Sequence, residues 1–147
     1  MSNSSGYAER DAMDLAVISL ITKRYHEFLK VKLKGYSFTP NEISSMIYLL
    51  NDPDTDTAKG ISSKYGVTQS LICRSVDSLS ERGYLNVVND RQDRRINHLS
   101  VIIDDEDLKE RLLSVNADFL ETIFKDLPAD DVDTFRRVLE GIEMNIK

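Results

Sequence analysis

Between Thr57 and Ile103 the spacing of apolar residues changes once, from the period of a helix to that of a strand, and the change falls at Gly83. Ahead of it, Thr57 is placed to cap a short helix reaching about Tyr65, with Ala58, Ile61 and Tyr65 inward. Gly60 lowers the intrinsic propensity of that helix by up to about 1 kcal/mol, so packing must support it. Gly66-Val67 makes a tight turn, Thr68 caps again, and a second helix runs to about Arg82. On it Ile72, Val76 and Leu79 stand at i, i+4 and i+7, which is one buried stripe. Beyond Gly83, Tyr84–Val88 and Ile96–Ile103 are β-rich and flank the polar run Asn89–Arg95, which predicts a hairpin with a long charged tip. A two-stranded hairpin is marginal alone, so this one must lean on the helices.

The flanking segments are helical. Met1–Gly6 is polar and expected to fray. From about Tyr7 to Lys34, Met13, Val17, Leu20, Ile21, Tyr25, Phe28 and Leu29 recur at helical spacing, and Gly35 ends the run after Lys30, Lys32 and Lys34. Thr39-Pro40-Asn41-Glu42 spells a capping box with proline at the first helical position. That helix carries Ile43, Met46, Ile47, Leu49 and Leu50 and stops at Asn51-Asp52-Pro53. After the hairpin, Asp104–Asp107 precede a helix with Leu108, Leu112, Val115 and Phe119 on one stripe. Pro128 starts a last helix with Val132, Phe135, Leu139, Ile142 and Ile146 on another. The expected fold is mainly α with a small β-hairpin (α+β), and 147 residues suit one domain.

Charge first argues against a nucleic-acid partner: 19 Lys and Arg stand against 25 Asp and Glu, a net charge of -6. The average conceals a segregation. Thr57–His98 holds seven basic residues and four acids, a net +3, and the remainder holds twelve against twenty-one, a net -9. Cys73 is the single cysteine, so no internal disulfide forms and a reducing cytoplasm fits. The apolar run Ala16–Ile21 is too short to span a bilayer and follows acids rather than a basic leader, so no membrane partner is expected. His26, His98 and Cys73 are widely spaced and give no metal-ligand motif. No nucleophile–base set, phosphate loop or paired acid–base carboxylates stands out, so neither catalysis nor a cofactor is expected.

Helix, glycine turn, helix, glycine and basic-tipped hairpin is the layout of a winged helix-turn-helix, in which the second helix enters a major groove and the hairpin reaches the backbone or minor groove. Opposite Ile72, Val76 and Leu79 lie Ser70, Arg74 and Asp77, with Gln69 near the helix start and Cys73 on the flank. Ser, Gln and Arg donate to base edges, and Arg74 suits bidentate binding of a guanine. Thr68 and the amides at the helix start suit a phosphate.

Thr57–Leu85 followed by Val87–Val101 resembles the MarR (multiple antibiotic resistance regulator) family of bacterial transcription factors. The tightest match is Asp93-Arg94-Arg95, which looks like that family's wing signature of Asp, any residue, Arg. The resemblance implies a homodimer built through helices at about 7–34 and 104–147, with a winged helix-turn-helix at about 39–103. It implies a cytoplasmic regulator, mostly a repressor, that binds a pseudo-palindromic site in double-stranded DNA and responds to a small aromatic or anionic effector. Carried over residue by residue, Thr68, Gln69, Ser70, Cys73 and Arg74 form the reading helix. Asp93 orients the wing arginines, Arg95 supports or meets the backbone, and Arg94, with Arg91 beside it, enters the minor groove. Val87, Val101-Ile102 and Asp104-Asp105 depart from the family pattern near the base of the wing.

Tyr25, Tyr36, Phe38 and Tyr48 are candidates for an effector pocket and equally for core. Cys73 has no second cysteine to resolve it, so a small-hydrophobe role is expected over redox sensing. His26 is expected on the first helix near the dimer partner, and His98 in a wing strand. Two other readings stand beside the regulator: a winged-helix protein–protein module (an antirepressor or assembly subunit), and a small-molecule carrier.

Overall fold

Helix ends fall where the capping chemistry puts them. The structure, a computed structural model, describes residues 3–147; Met1 and Ser2, part of the end expected to fray, lie outside the described residues. The order is α1 (Asn3–Lys32), α2 (Pro40–Asn51), α3 (Ala58–Tyr65), α4 (Gln69–Glu81), β1 (Leu85–Asn89), β2 (Asn97–Val101), α5 (Glu106–Ile123) and α6 (Ala129–Ile146). Helix α1 starts at Asn3 rather than about Tyr7, because extending an established helix adds one hydrogen bond for each residue fixed.

At α2 the capping box closes both ways. Glu42 N donates to Thr39 Oγ1 at 3.2 Å and Thr39 N donates to Glu42 Oε2 at 2.8 Å. At α3, Gly60 N donates to Thr57 Oγ1 at 3.0 Å. A Cβ on Gly60 would lie 3.0 Å from that oxygen and 3.3 Å from Thr55 Cγ2, so the glycine that weakens the helix also lets its cap close. At α4 the expectation fails in part. Thr68 is the N-cap, but its hydroxyl makes no cap bond; only its carbonyl accepts, from Leu71 N and Ile72 N. At α5, Asp105 Oδ1 accepts from Asp107 N and Leu108 N, so one of the expected acids is the cap.

Strands β1 and β2 pair antiparallel with Leu85 opposite Val101 and Asn89 opposite Asn97. Strand β2 ends at Val101, short of the expected Ile103, because β1 begins only at Leu85; the next amide, Ile102 N, donates to Tyr84 O at 2.8 Å. Leu85 and Leu99 carry the hairpin into a core of Leu29, Ile43, Met46, Ile61, Ile72, Leu79, Leu108 and Leu112. That is how the hairpin leans on the helices.

The chain divides into two compact units, the first ending at Val115 and the second spanning Asn116–Lys147. The second unit buries little. No residue of α6 is buried, and its apolar stripe, with Phe135 42%, Leu139 46% and Ile146 79% exposed, faces outward in the single chain. Phe124 packs edge-on against Phe135 at 5.8 Å within that unit. In α1, Met13, Val17, Leu20 and Ile21 are likewise exposed, while Leu29, near the end of the helix, is buried.

Glu42 is 5% exposed and does more than cap α2. Ser78 Oγ donates to its Oε1 at 2.5 Å, and Arg82 Nη1 lies 3.6 Å from its Oε2. Glu42→Ala removes the cap acceptor and leaves the half-buried Ser78 hydroxyl without its partner, and is expected to lower stability by about 1–2 kcal/mol, with Glu42→Gln milder. Urea denaturation of both variants checks the order.

Candidate nucleic-acid interface

Helix α4 is two-faced in the way the sequence predicts. Ile72 and Leu79 are buried and Val76 half-buried, while Gln69, Ser70, Cys73, Arg74 and Asp77 are exposed on the other side, with Thr68 exposed just ahead. Ser75 is a polar intrusion on the buried face, and its hydroxyl donates to Leu71 O at 3.0 Å. Cys73 is exposed rather than packed as a small hydrophobe, because it sits on the flank of α4 away from the core. Arg74 shares a shallow depression of about 200 Å³ with Thr39 and Asn41 at the start of α2.

The wing tip is an ordered turn. Asp90 Oδ1 accepts from Gln92 N and Asp93 N, each at 2.8 Å, the local bonding that makes Asp a turn residue. Asp90 N donates to Ile96 O at 2.9 Å, and Asn89 Nδ2 donates to Arg94 O at 2.8 Å. Inside this turn Asp93 grips Arg95 as a fork, with Nε to Oδ1 and Nη2 to Oδ2 both at 3.0 Å. The side chain of Arg95 is nevertheless 90% exposed, so its orientation is set while its outer surface is open. Arg91 and Arg94 are exposed at the same tip, and neither side chain is in an ion pair. Bonding to Arg95 holds the Asp93 carboxyl below its ordinary value and raises Arg95.

One functional candidate escaped the sequence. His98 lies in β2 as expected, opposite Val88, but its ring joins two carboxylates. Nδ1 is 2.9 Å from Asp56 Oδ2 and Nε2 is 2.8 Å from Asp90 Oδ2. The bonds to Asp90 and then Asp56 push the imidazole above its ordinary value. Asp90 is pulled down to about 2, chiefly by the Asp93 amide, then by His98 and the Gln92 amide. Asp56 stands 42 residues before His98, and no short pattern joins them. Asp90 had a signal, since an Asp opening a polar turn bonds the amides two and three residues on.

The four aromatic pocket candidates take part in two packing groups, one around Phe38 and one around Tyr48. Tyr36 stacks on Phe38 at 6.0 Å, Phe38 meets Tyr84 edge-on at 5.0 Å, and the Arg82 guanidinium lies 4.6 Å over Phe38. Tyr36 donates its hydroxyl to Asp105 at 2.9 Å and Asp107 at 3.0 Å, which pushes its pKa up to about 12. Tyr48 instead stacks on Tyr65 at 3.9 Å, and burial raises the pKa of both Tyr25 and Tyr48. These rings are occupied in packing. A cavity of about 310 Å³ between α3, α4 and β2 is lined by Lys59, Gln69, Cys73, Asp77 and Arg95 among others. Among the described residues no helix is long and apolar enough to cross a membrane.

No protein-family model matches the sequence, and no curated protein does. Solved structures do match in fold. A MarR transcriptional regulator from Methanosarcina mazei Go1 superposes with a TM-score of 0.79 at 15% identity, over 91% of this chain and 96% of that one. BpsR of Bordetella bronchiseptica, whose DNA binding is regulated by 6-hydroxynicotinic acid, gives 0.74 at 14% identity, over 89% and 98%. A mutant MarR from E. coli complexed with operator DNA gives 0.70 at 17% identity, over 86% and 91%. The chain therefore has the winged-helix fold of these regulators, six helices with one antiparallel hairpin.

The wing should open in acid. Because the folded Asp90 pKa is depressed to about 2, its stabilisation is complete above its ordinary value and lost as pH falls toward about 2. Amide exchange at Gln92 and Asp93 is expected to accelerate over that window, and Asp90→Asn to remove the dependence. Exchange rates that ignore both pH and the substitution would contradict the turn described.

Proposed function

We propose that the chain is a MarR-type regulator that binds double-stranded DNA through α4 and the wing. The observation that carries this reading is the tip itself: an ordered turn that presents Arg91 and Arg94 unpaired and Arg95 held by Asp93, beside a helix with an exposed face of Gln69, Ser70 and Arg74. Thr68, with its hydroxyl uncommitted to a cap, and the first amides of α4 receive a phosphate. Gln69, Ser70, Cys73 and Arg74 meet base edges in the major groove, and Arg94, with Arg91, enters the minor groove.

The working form in this reading is a homodimer. Contiguous exposed apolar surface on a soluble chain marks an interface, and α1 and α6 each carry such residues. Two winged domains then meet half-sites about 34 Å apart, which requires a pseudo-palindromic operator. Repression, and release by a small aromatic or anionic effector, follow from the resemblance; BpsR, of the same fold, supports an effector. The protein–protein module and carrier readings have no comparable observation behind them.

Binding to DNA upstream of the chain's own reading frame, titrated with salt, tests the proposal. Arg94→Ala is expected to weaken binding alike on all sequences and to lower the salt slope by about 1. Arg74→Ala is expected to lose about 1–3 kcal/mol and to relax preference at one base pair. A uniform loss from Arg74→Ala would move that residue to the backbone, as its depression beside Thr39 and Asn41 allows. Sedimentation should give twice the 16.8 kDa of the chain. Unchanged affinity in both variants, or salt-independent capture of a protein with no DNA affinity, would overturn the assignment.

A further inference from the structure

We infer that His98 is a positioning residue of the wing: protonated on both ring nitrogens, it bridges Asp56 to Asp90, holds the tip arginines in the pose that meets DNA, and makes DNA binding proton-dependent. The last clause rests on the proposed function; the bridge does not.

The argument is one of hydrogen-bond capacity. A neutral imidazole has one N–H and one lone pair, and a lone pair turned toward a carboxylate is repelled. Here both ring nitrogens lie within 2.9 Å of oxygens belonging to two different carboxylates. Only the doubly protonated ring can donate to both. The surroundings leave it in that role. Val88 across the ladder is uncharged, Arg95 is gripped by Asp93, and Lys64 pairs with Asp52. Glu42 is turned to Thr39, Ser78 and Arg82, and Lys59 and Asp77 line the neighbouring cavity.

From the bridge the bonding runs on without a gap. Asp90 passes it to the amides of Gln92 and Asp93, and Asp93 passes it to Arg95. The root of the strand has its own tie, Leu99 N to Asp56 O at 2.8 Å, which no proton controls. Losing one proton from His98 therefore releases the tip and leaves the strand docked. Since its folded pKa is raised, the bridge is complete below the ordinary histidine value and is lost as pH rises through the folded one. By reciprocity, DNA that prefers the closed tip raises the proton affinity of His98.

The test follows the full chain from about pH 6 to pH 9, a span that brackets histidine titration. The His98 ring is titrated by NMR, and amide exchange from Gln92 to Arg95 is corrected for its intrinsic pH dependence. Affinity is measured, at constant ionic strength, for a fluorescent duplex that the wild-type chain enriches from a random pool. Wing exchange should rise and affinity fall by about fivefold or more, both at the midpoint of His98. Asp56→Asn, whose amide can accept from an N–H or donate to a lone pair, should keep the fold and flatten both profiles. His98→Gln should flatten them too. Wild-type profiles that ignore the His98 midpoint, a ring that titrates at or below its ordinary value, or a pH step that survives in Asp56→Asn would overturn the inference. If no duplex is enriched at any pH, the DNA reading fails, and ring titration with wing exchange alone decides whether His98 positions the tip.

Discussion

A single buried carboxylate sets how α4 sits against α2. Glu42 accepts from the backbone at the start of α2 and from Ser78 on the last turns of α4, with Arg82 close by. Burying a carboxylate is unfavourable unless its lone pairs are met, so the packing angle that meets them is selected over its neighbours. Arg82 extends the constraint: its guanidinium donates to Tyr36 O at 2.7 Å and Ser37 O at 3.3 Å, and lies against Phe38 and Tyr84. Both Glu42 and Arg82 would count as surface charges in a composition tally. In the fold they tie α2, α4 and the turn after α1 into one body, and the exposed face of α4 inherits its direction from that body.

The wing depends on a second set of carboxylates and uses them differently. Two of the four acids in the basic segment, Asp90 and Asp93, have their oxygens committed to tip amides, to His98 and to Arg95. They reduce the local charge, and in exchange they order the turn that carries the cations. A tip of arginines alone would hold more charge and less shape. Preorganised cations lose less entropy on meeting a phosphate than free ones, so the loss of net charge does not translate into an equal loss of affinity.

Local chemistry explains what the sequence made legible. The capping box at Thr39-Pro40-Asn41-Glu42, the Thr57 cap, the glycine at Gly66 with φ +70° and the change of period at Gly83 are all set within a few residues, and all appear in the structure. The Asp93–Arg95 fork also spans only two residues, and it was implied by the resemblance of the wing signature rather than by local chemistry. Contacts between distant segments were not. Asp56 meets His98 only because Leu99 docks β2 on the turn ahead of α3, and Glu42 meets Ser78 only because α2 crosses α4. The surroundings of the aromatic residues were hidden for a related reason. Tyr25, Tyr36, Phe38 and Tyr48 look alike in sequence, and only tertiary packing decides that Tyr36 serves Asp105 while Tyr48 stacks on Tyr65.

The apolar stripes of α1 and α6 show the same limit from the other side. Their helical period was plain, and the helices exist, yet the residues that define the stripes are exposed in the single chain. Periodicity reports that a face must be covered and is silent on what covers it. An α6 with no buried residue gains little from its own chain, and helix propensity alone leaves a segment of its length marginal in water. Burial within the single chain therefore does not account for the stability of α6.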